Sequence, residues 1–190
     1  MDKIRIGFAM CGSFCTFEKA IDQIKYLVGK GYDVTPIMSE NAYKMDTKFG
    51  KAEQFRLRIE KITGKKIING IDKAEPIGPQ KMFDVLVVAP CTGNTLGKIS
   101  CGIVDTTVTM AIKSHLRNMR PVVLGVSTND ALSNCAQNIG KVLNYKNIYF
   151  IPMRQDNPAA KPRSIVADFS LIEKTIESAQ RSVQIQPIFL

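Results

Sequence analysis

A short apolar run followed at once by a polar turn is the feature that most constrains the fold. The run from Val85 to Ala89 predicts a buried strand, which Pro90 ends because proline has no N–H to give to a neighbouring strand. The turn at 92–95 then leads into a helical pattern that opens at Leu96. Ligands of open α/β sheets bind where strands end and helices begin. The turn at 92–95 is therefore predicted to be either a ligand-binding turn or an ordinary turn with a Thr or Asn helix cap.

The same alternation of strand and helix runs through the whole chain. Further strands are predicted at 4–9, 34–38, 121–126 and 148–151, and helices at 17–28, 49–62, 96–119 (broken near 102–105), 132–143 and 164–182. Pro36 places the second strand at or near a sheet edge. No linker or repeat interrupts the pattern, so we expect one α/β domain over 1–190 with a parallel sheet.

Three other segments have no regular pattern of their own. Residues 65–79 predict a long surface connection, and residues 153–163, which are polar and contain Pro158 and Pro162, predict a loop. The C-terminal tail at 183–190 is unusually apolar for a chain end. We therefore expect the tail to pack against another surface, such as a neighbouring protomer.

Right-handed crossovers bring the polar ends of four predicted strands to one edge of the sheet. The residues at these ends are Gly12 and Ser13, then Ser39, then Pro90, Cys91, Thr92, Asn94 and Thr95, and finally Ser127, Thr128 and Asn129. Their convergence predicts a crevice for a phosphorylated ligand. Gly12 and Ser13 alone are weak evidence, because the dinucleotide-binding pattern Gly-x-Gly-x-x-Gly is absent and a tight turn explains them equally well.

Composition excludes several classes of function. The net charge is +9, but the basic residues are scattered and not interleaved with aromatic residues, so nucleic-acid binding is not favoured over an anionic ligand or a solvated surface. No apolar run is long enough for a membrane span, and the N-terminus lacks the apolar core of a signal peptide, so we expect a cytoplasmic protein. Five cysteines without a Cys-x-x-Cys pair, and a single histidine, predict reduced thiols and no metal site. That histidine, His115, is expected to be a surface or boundary residue near a helix end and not a catalytic residue.

The segment 90–95, Pro-Cys-Thr-Gly-Asn-Thr, resembles the Pro-Ala-Ser-Ala-Asn-Thr segment of the flavin-containing cysteine decarboxylase family. The resemblance implies a Rossmann-like three-layer α/β/α fold that binds FMN. It places the phosphate on Gly12, Ser13 and Ser39, and the flavin ring along 90–95 and 127–129. Two departures count against decarboxylation: residues 39–82 contain no histidine, and of the family's Pro-x-Met-Asn motif only Asn129 matches.

A resemblance that spans nearly the whole chain is to the family of the dipicolinate synthase B subunit. The shared stretches include 49–53, 74–79, 89–95, 116–121, 127–132, 146–150 and 155–158. This resemblance implies an FMN-binding flavoprotein component of an oxidoreductase, which oxidises dihydrodipicolinate to dipicolinate in the mother cell of a sporulating bacterium. It also implies a partner, the dipicolinate synthase A subunit, that carries NADP, a small dicarboxylate substrate, and a homo-oligomer that is a trimer or a dodecamer.

Two other functions stay open at this stage. One is an FMN-dependent decarboxylase or prenyltransferase on the same fold, and the other is a non-catalytic accessory chain of the complex. No residue is predicted as a catalytic acid or base. Four basic residues are candidates for pairing with substrate carboxylates, because arginine and lysine bind carboxylates well. They are Lys98, Arg117, Arg120 and Arg154.

Overall fold

The computed structural model describes residues 3–190, and strands alternate with helices for most of that length. The strands are β1 (Arg5–Met10), β2 (Asp33–Met38), β3 (Val85–Cys91), β4 (Val122–Thr128), β5 (Ile148–Phe150), β6 (Met153–Asn157) and β7 (Lys161–Ala167). The helices are α1 (Phe17–Gly29), α2 (Glu40–Lys44), α3 (Ala52–Thr63), α4 (Ile71–Ala74), α5 (Gly93–Cys101), α6 (Thr107–Leu116), α7 (Ala136–Val142) and α8 (Ile172–Gln180). None of the helices within 3–190 has both the length and the apolarity needed to cross a bilayer.

One seven-stranded sheet organises the fold. Its spatial order is β2-β1-β3-β4-β7-β6, and β5 also pairs with β4. Strands β1 to β5 run parallel, which confirms the predicted α/β class. Pro36 lies in the edge strand β2, as predicted. Proline has no N–H to donate, and an edge strand tolerates this because it pairs with another strand on one side only.

Helices cover both faces of this sheet and make a three-layer structure. Successive strand residues point to opposite faces, so Val85 and Val87 pack with α1, α3 and α8, whereas Leu86 and Val88 pack with α5, α6 and α7. All seven residues of β3 are buried. The predicted strand end at Pro90 is wrong, because β3 continues to Cys91, which pairs with Val126 after a shift in register. A central parallel strand covered on both faces needs such a continuous apolar run, which is why the sequence of 85–89 predicts it.

Residues 153–167 form an antiparallel hairpin, so the predicted loop at 153–163 and the predicted helix start at 164 are wrong. Strand β6 pairs with β7, and β7 pairs with the end of β4 through Ser127 and Thr128. The apolar residues at 165, 166, 169 and 172 fit a helical spacing, yet the first two belong to the strand. Helix α8 begins only at Ile172, after a single 3-10 turn at Phe169–Leu171. The sheet is therefore mostly, and not wholly, parallel.

Two other segments differ from the sequence prediction in detail. The connection at 65–79 contains α4 and a 3-10 turn at Glu75–Ile77, and it buries Ala74 and Ile77 completely. The predicted break near 102–105 is confirmed, because Gly102 ends α5 in the left-handed conformation (φ +69°). Thr106 caps α6, since Thr106 and Thr109 exchange side-chain-to-backbone hydrogen bonds.

The apolar tail lies along the rim of the hairpin. The backbone of Met153 donates to Ile188 and accepts from Leu190, both at 2.9 Å, so the tail extends the sheet beside β6. Ile188 packs on the core, whereas the side chain of Phe189 is 56% exposed. The tail thus contacts its own chain, and contact with a neighbouring protomer stays a prediction.

Candidate functional site

The carboxyl ends of β1, β2, β3 and β4 surround a crevice, where two cavities adjoin. The first has a volume of about 470 Å³ and includes the turn after β1 and the end of β4. The second has a volume of about 450 Å³ and includes the end of β2 and the starts of α5 and α6. Gly12 and Thr92 line both cavities. Each volume falls in the range of small-molecule sites.

Nine of the eleven residues predicted for this site line the two cavities. They are Gly12, Ser13, Ser39, Thr92, Asn94, Thr95, Ser127, Thr128 and Asn129. The other two, Pro90 and Cys91, are buried in β3 beneath them. Pro90 still shapes the floor, because its carbonyl oxygen accepts a hydrogen bond from the Cys11 backbone N–H at 3.1 Å. The predicted convergence of strand ends therefore describes the surface of the crevice, and its two apolar members form the layer below.

A side-chain hydrogen bond joins the turns that follow β1 and β4. The hydroxyl oxygens of Ser13 and Ser127 lie 2.9 Å apart. Thr16 also donates its hydroxyl to the Ser13 carbonyl at 2.8 Å and so closes the short 3-10 turn that leads into α1. Small hydroxyl residues at these strand ends thus tie together two segments more than a hundred residues apart, and they present hydroxyl groups to a ligand.

The end of β2 is tied to α6 by an acidic side chain. Ser39 caps α2, its hydroxyl accepting from the Ala42 N–H at 3.3 Å. The next residue, Glu40, accepts from both the backbone N–H and the hydroxyl of Thr107, at 2.8 and 2.7 Å. A carboxylate at a helix N-terminus is stabilised by the helix dipole. Glu40 is therefore occupied as a cap of α6 and is not a free base.

Most of the polar turn predicted after β3 is the first turn of α5, which begins at Gly93 and not at Leu96. Thr92 caps the helix, because its hydroxyl accepts from the Thr95 N–H at 3.3 Å. Thr95 is buried, and its hydroxyl donates to the Cys11 sulfur at 3.3 Å. The amides of Asn94 and Asn129 make no side-chain hydrogen bond within residues 3–190, and both residues are exposed. These two amides are accordingly free to bind a ligand.

Glycine at position 93 allows the turn after β3 to pack against the turn after β4. A Cβ atom there would lie 2.7 Å from the Thr128 hydroxyl and 2.8 Å from an Asp130 carboxylate oxygen. The same hydroxyl and carboxylate are hydrogen-bonded to each other at 2.6 Å. A side chain at 93 would therefore push apart the two turns that line the crevice.

The thiols beneath the crevice are not nucleophiles at neutral pH. Burial raises the pKa of the Cys11 thiol to about 11, and it raises the pKa of Cys91 well above the usual range. Cys15 and Cys101 are exposed. In the described part of the chain, no three His, Cys, Asp or Glu side chains are arranged to hold a metal ion.

His115 is buried, and not at the surface or at the boundary as predicted. Burial lowers its pKa to about 4, so the imidazole is neutral and its Nε2–H donates to the Pro121 carbonyl at 3.1 Å.

Of the four basic candidates for substrate carboxylates, three lie outside both cavities. They are Arg117, Arg120 and Arg154. Arg120 pairs with Asp84, and Arg154 pairs with Asp168. The fourth, Lys98, lines the second cavity but is paired with Asp105 at 2.6 Å.

Several residues that line the crevice are not predicted by the sequence patterns. Lys48 and Phe49, from the loop between α2 and α3, and Lys161, from the start of β7, line the first cavity together with Phe14 and Cys15. Phe49 belongs to one of the stretches shared with dipicolinate synthase, but nothing in its local pattern places it beside the sheet edge. The sequence around Lys161 does not indicate that this residue lines the crevice, because its pattern predicts a loop where the structure has a strand.

Known proteins match this chain over nearly its whole length. The family model Flavoprotein matches residues 1–176. The dipicolinate synthase B subunit of Bacillus subtilis is 45% identical over 186 residues, which cover 98% of this chain and 93% of that protein. The crystal structure of the dipicolinate synthase B subunit from Bacillus halodurans superposes with a TM-score of 0.90 and 42% identity, covering 100% of this chain and 98% of the other.

More distant structures share the fold. An FMN-dependent cysteine decarboxylase, SpaF, superposes with a TM-score of 0.67 at 21% identity, covering 93% of this chain and 97% of its own. An identity this low supports only a common architecture, which here is the Rossmann-like sheet with its crevice. Taken with the family match and the near relatives, it leads to one conclusion: the chain belongs to the Flavoprotein family, among the relatives of the dipicolinate synthase B subunit.

Proposed function

We propose that this chain is the flavoprotein component of a dipicolinate synthase and binds FMN in the crevice. The observation that carries the proposal is the lining of two adjoining cavities by nine predicted ligand-binding residues in a chain 45% identical to the Bacillus subtilis protein. The reaction would be the oxidation of a dihydrodipicolinate ring to dipicolinate. The remaining parts of the proposal are a partner that carries NADP (the dipicolinate synthase A subunit), a homo-oligomeric assembly, and a place in the cytoplasm of a sporulating mother cell.

The donor set of the crevice fits FMN. Gly12, Ser13 and Ser39 would hold the phosphate, because their turns offer hydroxyl groups and, at the start of α1, the positive end of a helix dipole. The free amides of Asn94 and Asn129 would bond the polar edge of the flavin ring, alongside Thr95 and the residues at 127–128.

When bound, FMN supplies the capacity to accept a hydride. The chain's own contribution is to bind and orient the two reactants and to exclude water. Among residues 3–190, the second cavity offers no free carboxylate for proton transfer, since Glu40 caps α6 and Asp105 is paired with Lys98. We therefore do not assign a proton acceptor to either of them.

An absorbance spectrum of the purified chain, recorded before and after addition of FMN and desalting, tests the proposal. We expect a retained flavin band, and we expect Asn94→Ala to lose most of it while an Asn144→Ala control, outside the crevice, keeps it. Absence of the band under both conditions would overturn the FMN assignment and favour an accessory role. Turnover at the full rate by the NADP-carrying partner alone would lead to the same conclusion.

A decarboxylase has weaker support as a second candidate. SpaF and this chain share the fold, but at 21% identity. The stretch 39–82 lacks the histidine that the decarboxylase resemblance requires. Release of carbon dioxide from a cysteinyl substrate by the flavin-loaded chain would nevertheless restore this candidate.

A further inference from the structure

We propose that Lys48 and Lys161 form a dicarboxylate-binding subsite in the first cavity, with each ammonium group holding one carboxylate of a small ring substrate. The inference rests on the proposed function and extends it by naming the residues that select the substrate. Both side chains line the cavity that also contains Ser127, Thr128 and Asn129. None of the four basic residues predicted to pair with the substrate is in this cavity.

The distribution of charge distinguishes the two cavities. Within residues 3–190, the lining of the first includes two ammonium groups and no carboxylate. The lining of the second includes one ammonium group, Lys98, and two carboxylates, Glu40 and Asp105. A substrate with two negative charges is therefore attracted to the first cavity and repelled by the carboxylates of the second.

Lys48 is held by an ordered turn and has no competing anion. The backbones of Thr47 and Gly50 exchange hydrogen bonds at 3.0 and 3.1 Å, and the Asp46 carboxylate accepts from the Ala52 N–H at 2.8 Å where α3 begins. Gly50 fits against the ring of Phe55, since a Cβ there would lie 2.8 Å from that ring. In the described part of the chain, Lys48 forms no ion pair. Its ammonium group is thus available to a ligand.

Lys161 comes from the hairpin and has an exchangeable partner. Its Nζ lies 2.6 Å from the Asp156 carboxylate, within the same hairpin. Both side chains are well exposed, and exposed ion pairs of this kind are weak. A substrate carboxylate in the cavity can therefore replace Asp156 at little cost.

The remaining lining of the first cavity includes apolar surface that suits a flat ring. Phe14 and Phe49 give apolar surface to the cavity that the two lysines line. Two positive charges and apolar surface in one cavity suit the two carboxylates and the ring of a pyridine dicarboxylate. A monocarboxylate would engage only one of the lysines.

Calorimetric titration of the FMN-loaded chain with dipicolinate, and separately with picolinate, which has one carboxylate, tests the subsite. We expect Lys48→Ala and Lys161→Ala each to raise the Kd for dipicolinate about tenfold or more, because each removes a charge-assisted hydrogen bond. The Kd for dipicolinate in either variant should approach the Kd for picolinate in the unmodified chain. Asp156→Asn should tighten dipicolinate binding, since Lys161 loses its competitor.

The controls separate this inference from the proposal on which it rests. Lys146→Ala removes an exposed ammonium group at the opposite edge of the sheet, before β5, and should leave the Kd unchanged. Flavin absorbance per chain should be equal in all variants. Unchanged dipicolinate affinity in both crevice variants, or no dipicolinate binding to the unmodified chain, would overturn the subsite and leave FMN binding standing. Loss of flavin from the unmodified chain would instead overturn the proposed function.

Discussion

The hydroxyl oxygens of Ser13 and Ser127 lie 2.9 Å apart and link the turns after β1 and β4 across the floor of the crevice. Ser127 is 5% exposed, so its hydroxyl depends on this partner more than on water. A side-chain hydrogen bond of this kind contributes about 1 kcal/mol to stability. The bond also fixes the distance between two turns that we expect to hold the cofactor.

The first prediction concerns this bond. Ser13→Ala and Ser127→Ala should show a coupling energy of about 1 kcal/mol in a double-mutant cycle of urea unfolding, because each substitution removes the same interaction. Ser133, whose hydroxyl bonds within residues 3–190 only to the nearby Asp130 carbonyl, provides the control pair with Ser13. Additive effects for Ser13 and Ser127 would contradict the geometry.

The second prediction concerns the cap that Glu40 places on α6. Glu40→Ala removes the acceptor of two hydrogen bonds from Thr107 and should lower the free energy of unfolding by about 1–2 kcal/mol. Glu53→Ala is the matched control, since Glu53 lies in the first turn of α3 and is exposed. Urea unfolding of both variants measures the difference. Equal losses from the two substitutions would show that the contact with Thr107 adds nothing.

The third prediction uses the single histidine as a pH reporter. Burial lowers the pKa of His115 from 6.5 to about 4. Between pH 4 and pH 6.5, the imidazole therefore binds a proton in the unfolded chain but not in the folded chain. Stability attributable to His115 is complete above pH 6.5 and falls as the pH drops towards 4, by about 3 kcal/mol in total. Proton NMR of the only imidazole should show no titration between pH 7 and 5.

A variant isolates this contribution from that of the carboxylates, which also lose stability in acid. His115→Gln should make the free energy of unfolding less dependent on pH between 7 and 5 than it is in the unmodified chain. Its amide can still donate to the Pro121 carbonyl that His115 now contacts. An identical pH dependence in the two proteins would mean that folding leaves the pKa of His115 unshifted.

Much of this fold was predictable because short apolar runs and their polar ends are local signals. Val85–Ala89 indicated a buried central strand, and the topology of parallel sheets then required Ser13, Asn94 and Asn129 to meet at one edge. The structure confirms this convergence, which was predicted without any knowledge of side-chain contacts. The same reasoning could not find Lys48 or Lys161, because the loops that carry them are positioned by contacts between distant residues.

The hairpin shows why local pattern fails at such places. Ile165 and Val166 belong to β7, and Phe169 belongs to the 3-10 turn that follows, yet their spacing also fits the apolar stripe of a helix. The pairing of β7 with Ser127 and Thr128 at the end of β4 decides between the two. That pairing joins residues about forty positions apart, and no periodicity within the segment reports it.

The last prediction concerns a side chain that completes the sheet. The amide of Gln184 accepts from the Phe150 N–H and donates to the Phe150 carbonyl, both at 2.7 Å, so it occupies the side of β5 that no strand within residues 3–190 pairs. Gln184→Ala should lower the free energy of unfolding by about 1–3 kcal/mol, because two backbone groups lose their partner. The exposed Gln180, at the end of α8, provides the control.

An isosteric variant tests the same pairing without changing its volume. Gln184→Glu keeps one acceptor for the Phe150 N–H but sets a carboxylate oxygen against the Phe150 carbonyl. We expect it to be at least as destabilising as Gln184→Ala at pH 7 and to recover part of the loss near pH 4, where the protonated carboxyl group can donate again. If Gln184→Glu had the stability of the unmodified chain at pH 7, the amide could not be acting as a donor to β5.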